Sequence, residues 1–303
     1  MRSPDCPACN APGASHAFEK ATYQLFACKA CGSLFVDPRP TPSQLEAFYK
    51  NTSIEKLSSV CWTDESDTQG HLQSVWRQAL NEIQGAAGRG PLLDVGCGSG
   101  RFLRFARTRG WTDLTGLELV PHIAEQARAS TGAKVIETDL GRANLPDSTF
   151  AGVILWDVVE HVSDIGKTLS DVFRLLTPGG TIVISTCSRD GVSLRVFGKE
   201  SMTIDPPEHI LFLTRRGISA ALENAGFEVR DTWTFSIYLR EWTARITRRS
   251  TQPSISDGTS KNYSSIFANS TPLLYAMKTA DFFLKKLDLG DELVAIARKP
   301  GSA

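Results

Sequence analysis

A glycine-rich stretch between residues 92 and 100 constrains the fold of this chain more than any other feature. An apolar run at residues 92–95 contains one acid, Asp94, and is followed by three alternating glycines: Gly96, Gly98 and Gly100. Glycine lets the backbone turn sharply after a strand and lets a ligand lie against the main chain. A dinucleotide fingerprint, G-x-G-x-x-G, would have its third glycine at position 101, where this chain has Arg101. The stretch therefore predicts a strand, a turn and a helix around a ligand other than a dinucleotide; the alternative is an ordinary strand–turn–helix connection.

After this stretch, apolar strand patterns alternate with helical patterns, which indicates a doubly wound α/β sheet. The predicted strands cover residues 92–95, 114–118, 134–140, 150–156, 181–185, 227–230 and 293–297. A break is expected at residues 177–180, where the sequence reads T-P-G-G. The segment 233–288 is longer than a hairpin between the last two strands requires, so we expect a helical insertion there.

The carboxyl ends of the predicted strands carry candidates for binding a nucleoside. Glu118 ends the second strand, where an acid can accept hydrogen bonds from both ribose hydroxyls. Asp139 ends the third strand and could accept from an adenine amino group, while the Leu140 amide contacts a ring nitrogen. The full set of candidate cofactor-binding residues is Asp94, Gly96, Cys97, Gly98, Gly100, Glu118, Leu119, Asp139, Leu140 and Trp156.

Charge and hydropathy limit the class of protein. The chain has 33 basic and 33 acidic residues, so nothing signals a strong polyanion partner, and nucleic acid is not expected. The N-terminus lacks an apolar signal segment, and no apolar run approaches the roughly 18 residues of a membrane-spanning helix. We therefore expect a cytoplasmic protein without a membrane partner, whose cysteines are thiols or metal ligands and not disulfides.

Four of the seven cysteines form two C-x-x-C pairs near the N-terminus: Cys6, Cys9, Cys28 and Cys31. Two such turns bring four thiolates into a tetrahedron, the arrangement that structural Zn²⁺ adopts. A closed four-cysteine site has no open coordination position, so we assign it to structure and not to chemistry. The division predicted is a zinc ribbon with a proline-rich connector (1–40), N-terminal helices (41–90) and a larger α/β domain (91–303).

The order of these motifs resembles that of the class I methyltransferases, which use S-adenosylmethionine. The resemblance rests on the glycine stretch, Glu118, Asp139 and the L-x-P-G-G sequence before the fifth strand, over residues 90–232 and 291–298. It implies a seven-stranded Rossmann-like sheet of order 3-2-1-4-5-7-6, with strand seven antiparallel and the cofactor at the carboxyl edge. The C-K-A-C-G sequence at 28–32, which runs into D-P-R-P at 37–40 and F-Y at 48–49, is similar to bacterial small-molecule methyltransferases that carry an N-terminal zinc ribbon. The segment 206–214, which begins P-P-E-H, resembles the segment that follows their fifth strand.

Two histidines and two acids are candidates for chemistry. Asp157, Glu160 and His161 are spaced i, i+3 and i+4, so a helix would direct them to one side, and His209 follows the fifth strand. Together they could hold a divalent cation such as Mg²⁺ with positions open for substrate oxygens. Alternatively His161 or His209 acts as a metal-free general base, or the four residues are structural, with Asp157 capping the helix.

The spacing of these four residues resembles the metal sites of small-RNA 2′-O-methyltransferases and ubiquinone-pathway O-methyltransferases, which pair an E-x-x-E-H helix with a later histidine. This chain departs from that pattern at Asp157, which is one methylene shorter. The sequence thus favours methylation of a small metabolite, most readily at oxygen, by an enzyme that could form a homodimer. The alternatives are a zinc-ribbon ribosomal-RNA methyltransferase and a non-catalytic binding or scaffold protein that keeps the methyltransferase fold.

Overall fold

The chain folds around two sheets. The structure, a computed structural model, describes residues 3–51, 71–238, 241–242, 245, 279, 283–284 and 286–301. The strands are β1 (Ser15–Lys20), β2 (Tyr23–Ala27), β3 (Leu34–Val36), β4 (Leu92–Val95), β5 (Leu114–Glu118), β6 (Lys134–Glu137), β7 (Phe150–Trp156), β8 (Leu176–Cys187), β9 (Leu211–Phe212), β10 (Glu228–Phe235) and β11 (Glu292–Arg298). The α-helices are α1 (Pro42–Asn51), α2 (His71–Ala87), α3 (Arg101–Thr108), α4 (Pro121–Thr131), α5 (Ile165–Leu175), α6 (Val192–Phe197) and α7 (Arg215–Asn224).

The larger sheet has seven strands in the order β10-β11-β8-β7-β4-β5-β6. The strands from β8 to β6 pair in parallel, and β11 is antiparallel to both of its neighbours. Counted from β4, the order is 3-2-1-4-5-7-6, so the predicted topology is confirmed. In a sheet wound in this way, ligands bind at the carboxyl ends of the parallel strands.

Both faces of this sheet are covered, because successive side chains of a strand point to opposite sides. In β4, Leu92 packs with α2, α3 and α4, while the adjacent Leu93 packs with α5 and α7. Burial on both sides accounts for the continuous apolar runs that the parallel strands show in the sequence. Among the described residues, no helix is both long enough and apolar enough to cross a membrane.

The smaller sheet has the order β1-β2-β3-β9 and combines two distant parts of the chain. Residues 3–36, which we call the four-cysteine hairpin, contribute three antiparallel strands. The fourth strand, β9, lies between β8 and α7 and pairs with β3 through Leu34–Phe212 and Phe35–Leu211. The segment predicted as a separate N-terminal unit is therefore hydrogen-bonded to the α/β domain.

Three predicted boundaries were wrong. The break expected at 177–180 lies within β8, because the Gly179 amide donates to Lys299 O and the Lys299 amide donates to Gly180 O. The third strand ends at Glu137 instead of residue 140. The insertion predicted for 233–288 begins inside β10, which continues to Phe235 because its last residues pair with β11. Most of that insertion, and residues 52–70 of the predicted N-terminal helices, lie outside the described residues.

Candidate active site

The turn between β4 and α3 leaves room for a ligand beside one of its glycines. Gly96, Gly98 and Gly100 have φ values of +67°, +52° and +81°, a left-handed conformation that favours glycine. A Cβ at Gly96 would lie 2.8 Å from Val158 Cγ2, and one at Gly100 would lie 2.4 Å from Thr131 Cγ2. A Cβ at Gly98 would meet nothing within 4 Å. Packing therefore requires the outer two glycines, while the main chain at Gly98 borders open space.

Two buried acids flank this turn. The carboxylate of Glu118 accepts hydrogen bonds from the Gly98 amide at 3.0 Å and from the Val120 amide at 2.8 Å. Burial raises the pKa of Glu118, and these backbone hydrogen bonds oppose the rise. Burial, helped by the charge of Glu118, raises the pKa of Asp94 to about 8. An open glycine turn between two buried carboxyls fits a ligand that offers hydroxyl groups and positive charge, as S-adenosylmethionine does.

Three other candidate cofactor residues lie around the same strand ends. Cys97 is buried under the turn, where its Sγ would be 2.7 Å from a Cβ at Gly116, so only its main chain is available to a ligand. Leu119 is half-buried directly after β5. Trp156 ends β7 and packs edge-on against Trp76, with ring centroids 6.0 Å apart.

Asp139 occupies the predicted edge of the sheet but already has a partner. It caps a single 3-10 turn, Leu140–Arg142, by accepting from the Arg142 amide at 3.0 Å, and its carboxylate also pairs with the Arg142 guanidinium. The same guanidinium contacts Glu46 of α1 at 3.1 Å. A contact between Asp139 and adenine stays a prediction, and this carboxylate would then be shared with Arg142.

A second cluster lies beside the glycine turn and consists of Glu160, His161 and His209. One ligand atom from each residue lies within 4.8 Å of the other two, and the imidazole centroids are 4.9 Å apart. Glu160 and His161 follow β7, and Val158 of the same segment contacts Gly96 of the cofactor turn. The cluster is therefore placed where a methyl acceptor could meet a cofactor bound at the turn.

Backbone carbonyls fix the protonation of both imidazoles. His161 Nδ1 lies 2.7 Å from Glu208 O, and His209 Nδ1 lies 2.8 Å from Thr203 O. A carbonyl oxygen can only accept, so each Nδ1 carries a proton and each Nε2 carries the lone pair. The hydroxyl of Tyr49, from α1, lies 2.8 Å from the same His161 Nδ1. Such hydrogen bonds orient imidazoles that bind metal or act as bases.

Burial favours the neutral form of both histidines. It lowers the pKa of His161 and of His209, and in His209 the neighbouring His161 lowers it further. Burial also raises the pKa of Glu160, which is opposed by His209 and by the Thr186 hydroxyl that donates to the Glu160 carboxylate at 2.8 Å. A neutral imidazole is the form that binds a metal ion or removes a proton.

The helix predicted for 157–161 was wrong. Asp157 has φ +53°, and the Glu160 carbonyl accepts from the amides of Ile210 and Leu211 instead of from the next helical turn. The helix α5 begins only at Ile165, capped by Asp164. The structure does not place Asp157 in the group with Glu160, His161 and His209, nor does Asp157 cap a helix.

Near this cluster, the buried Glu292 Oε2 has no hydrogen-bond partner, and the Ser185 side chain lies close enough to Asp157 to oppose, by a hydrogen bond, the rise that burial causes in the Asp157 pKa. These residues lie on neighbouring strands, because the Asp157 amide donates to Ser185 O and Glu292 pairs with Cys187, two residues further along β8. The other oxygen of Glu292 accepts from the Tyr238 hydroxyl at 2.8 Å. Glu292 was not predicted as a site residue, because in the sequence it precedes an ordinary apolar strand. Tyr49 was also missed, because nothing local indicates its contact with His161.

The four cysteines of the hairpin come together as their spacing predicts. Their sulfurs all lie within 4.8 Å of one another, with Cys6 and Cys31 at 3.6 Å and Cys9 and Cys28 at 3.6 Å. A tetrahedron of Zn–S bonds near 2.3 Å has edges of about 3.8 Å, so the four positions fit a zinc ion.

Comparisons with known proteins agree with this architecture. A family profile described as a methyltransferase domain matches residues 68–232, more than half of the chain. Over 120 residues the chain is 33% identical to a malonyl-[acyl-carrier protein] O-methyltransferase of Serratia marcescens, covering 39% of this chain and 46% of that protein. Over 173 residues it is 27% identical to a ubiquinone biosynthesis O-methyltransferase of Xanthomonas campestris pv. campestris (strain B100), covering 53% of this chain and 72% of that protein. The chain thus spans about half the length of the first relative and more of the second.

Solved structures share the fold at low identity. A geranyl diphosphate C-methyltransferase from Streptomyces coelicolor A3(2), in complex with Mg²⁺, geranyl diphosphate and S-adenosyl-L-homocysteine, has a TM-score of 0.52 at 14% identity, covering 75% of this chain and 79% of that one. The [4+2]-cyclase SpnF has a TM-score of 0.53 at 18% identity, covering 88% of this chain and 99% of that one. These likenesses show the fold alone, while the family profile includes the glycine turn and the strands around it. The chain therefore belongs to the methyltransferase-domain family, and its α/β domain is that of an S-adenosylmethionine-dependent methyltransferase.

Proposed function

We propose that this protein transfers the methyl group of S-adenosylmethionine to an oxygen atom of a small polar metabolite. The observation that supports this most directly is the cluster of Glu160, His161 and His209 next to the glycine turn. Methyl transfer is an in-line displacement, so the enzyme must align acceptor and methyl and must take the proton of an acceptor hydroxyl. The cluster offers groups for both tasks.

The three side chains of the cluster fit a divalent metal ion. Two imidazoles with Nε2 lone pairs and one buried carboxylate form a donor set typical of transition metals, whereas Mg²⁺ prefers oxygen ligands. We therefore propose Mn²⁺, Fe²⁺ or Zn²⁺ in place of the Mg²⁺ expected from the sequence. When bound, such an ion would supply Lewis acidity that lowers the pKa of an acceptor hydroxyl. Without an ion, the Nε2 atom of His161 or His209 can take the proton directly, since burial lowers the pKa of both rings and so favours their neutral form.

The acceptor itself is expected to be polar. Buried polar atoms normally have hydrogen-bond partners, and an orphaned one indicates a missing water, ion or ligand group. Glu292 Oε2 is such an atom and belongs to a carboxyl group. An acceptor with a hydroxyl or amino hydrogen at this position would satisfy it, and a purely apolar acceptor would not. The two O-methyltransferases among the relatives support oxygen as the methylated atom.

We also propose that a structural zinc ion is held by Cys6, Cys9, Cys28 and Cys31. S-adenosylmethionine is proposed to bind at Asp94, Glu118 and the Gly98 main chain. The acceptor is proposed not to be a nucleic acid. The support is the separation of the sulfurs, the open side of Gly98 and the even charge balance. The division at residues 40 and 90 stays part of this proposal, with the hairpin joined to the α/β domain through β9.

The test is a screen for S-adenosylhomocysteine release against a panel of hydroxylated small molecules (phenols, sugars, polyols and hydroxy acids) and against RNA. We expect turnover with a small molecule, and we expect His209→Gln to abolish it. The control is His16→Gln, which replaces an exposed histidine of β1 and should keep full turnover. Methylation of RNA alone would support the ribosomal-RNA alternative. Absence of S-adenosylmethionine binding by calorimetry would support the non-catalytic alternative.

Mn²⁺ titration separates the two chemical roles of the cluster. If the cluster binds metal, we expect one Mn²⁺ site that Glu160→Gln weakens, and turnover that stops in excess chelator and returns with Mn²⁺. Full turnover in excess chelator, with zinc still bound at the four cysteines, would contradict a metal ion in the cluster of Glu160, His161 and His209. One of the two histidines would then be the general base.

A further inference from the structure

The four-cysteine hairpin is hydrogen-bonded to the half of the candidate active site that faces the acceptor. The amide of Val36, at the end of β3, donates to Ile210 O at 2.9 Å. The amide of the same Ile210 donates to Glu160 O at 2.9 Å. Ile210 directly follows His209, so one residue connects the last strand of the hairpin to two members of the cluster.

A second set of contacts joins the cysteine turn to the start of α7. The Thr214 hydroxyl donates to Cys31 O at 2.6 Å, and the Thr214 amide donates to Ser33 Oγ at 3.4 Å. The same hydroxyl accepts from the Gly217 amide at 2.9 Å and so caps α7. The Cys31 carbonyl therefore helps to hold Thr214, which ends the segment that begins at His209.

This junction is buried and closely packed. Ser33, Phe35, Ile210 and Phe212 are at most 1% exposed. A Cβ at Gly217 would lie 2.1 Å from Ser33 Oγ, closer than any real contact allows. Rigid packing of this kind transmits a displacement from the hairpin to β9.

We infer that the four-cysteine hairpin is a brace for the acceptor side of the active site, so that zinc at the cysteines sets the positions of Glu160 and His209. This inference rests on the zinc site proposed above. A hairpin of this size has a small core, and a structural metal contributes directly to the folding of such units. Without the metal, β3 loses its support, and the bond from Val36 to Ile210 is lost with it. Among the described residues, no hydrogen bond joins residues 96–100 of the glycine turn to the hairpin.

Hydrogen exchange measured by mass spectrometry tests this directly, with and without removal of zinc from the full chain. We expect exchange at least about tenfold faster in peptides covering 208–213 and 158–162 after zinc removal, and unchanged exchange in peptides covering 94–120. S-adenosylmethionine affinity should stay the same, while Mn²⁺ affinity falls. Faster exchange confined to residues 3–36 would overturn the inference.

Gly217→Ala tests the brace without replacing a cysteine or a histidine. The new methyl group should push Ser33 away, speed exchange at 208–213 and weaken Mn²⁺ binding. Because Ser33 Oγ also accepts from Cys31 Sγ at 3.3 Å, zinc content is measured on the same sample, and the test applies to protein that keeps its zinc. Gly85→Ala is the matched control, because Gly85 is also helical and its Cβ would meet nothing within 4 Å. Thr214→Val, which removes only the hydroxyl, provides a milder form of the same test.

Metal analysis distinguishes failure of the brace from failure of the zinc site. A chain that binds no zinc would contradict the zinc proposal, and the Gly217→Ala and Thr214→Val results would still decide the brace. Unchanged exchange at 208–213 in Gly217→Ala, with zinc bound, would refute the brace alone.

Discussion

Gly98→Ala should separate cofactor binding from folding. At φ +52° a residue with a Cβ incurs a conformational cost of about 1–2 kcal/mol, but the new methyl group meets no protein atom within 4 Å. For a chain of this size, 1 kcal/mol shifts the melting temperature by about 2–4 °C, so the variant should fold and melt only a few degrees lower. The methyl group would project into the open space proposed for the cofactor. We therefore expect S-adenosylmethionine affinity to fall by more than about tenfold, or ~1.4 kcal/mol.

The matched control is Gly88→Ala. Gly88 has φ +75°, and a methyl group there would also meet no atom within 4 Å, but the residue lies before β4 and away from the turn. Thermal melting should show a similar loss for the two variants, and calorimetry should show weaker S-adenosylmethionine binding only in Gly98→Ala. Equal affinities in both variants, with intact folds, would refute the placement of the cofactor against Gly98.

Three further predictions follow from the same contacts. The pKa of Asp94 is about 8, and a cationic cofactor favours the ionised form of this carboxyl. S-adenosylmethionine affinity should therefore rise roughly 20-fold from pH 6 to pH 7.5. A similar rise in Asp94→Asn would contradict this. Gly152→Ala places a Cβ 2.7 Å from Ile83 Cδ1 and from Leu92 Cδ2. Overpacking should therefore lower the free energy of unfolding, measured by denaturant titration, by about 1–3 kcal/mol. An unchanged unfolding midpoint would show instead that α2 can move away. Tyr49→Phe removes the hydroxyl at His161 Nδ1 but leaves Glu208 O, so Mn²⁺ affinity should fall by less than about tenfold; complete loss of the site would mean that Tyr49 itself holds the ring.

The sequence was sufficient for the order of the sheet and for the turn that borders the cofactor space. The order of the sheet was implied by the resemblance of the motif order to class I methyltransferases. The glycines at 96, 98 and 100 and the acid at Glu118 lie within about 30 residues of one another, and the geometry of their turn follows from local backbone preferences. The convergence of the four cysteines was predicted for the same reason, since two tight C-x-x-C turns leave few other arrangements.

The acceptor side was predicted less well. A spacing of i, i+3 and i+4 indicated a helix at Asp157–His161, but the amides of Ile210 and Leu211 bind the Glu160 carbonyl and replace the helical hydrogen bond. The hydrogen bonds from Ile210 and Leu211 to Glu160 therefore take the place of the helix that the local spacing favoured. Even so, the expectation that Glu160, His161 and His209 meet was sound, although they meet through a turn.

By itself, then, the sequence determined the cofactor turn and the four-cysteine hairpin, because these depend on contacts between residues close in the chain, and its motif order resembled that of a known methyltransferase sheet. Only the tertiary structure decided that β3 pairs with β9, that Tyr49 reaches His161 across 112 residues, and that Glu292 lies near Asp157. Each of these contacts depends on which surfaces meet after the sheet has formed. Local sequence preferences do not specify such contacts. The backbone N–H and C=O groups that pair β3 with β9, for example, are present in every other strand.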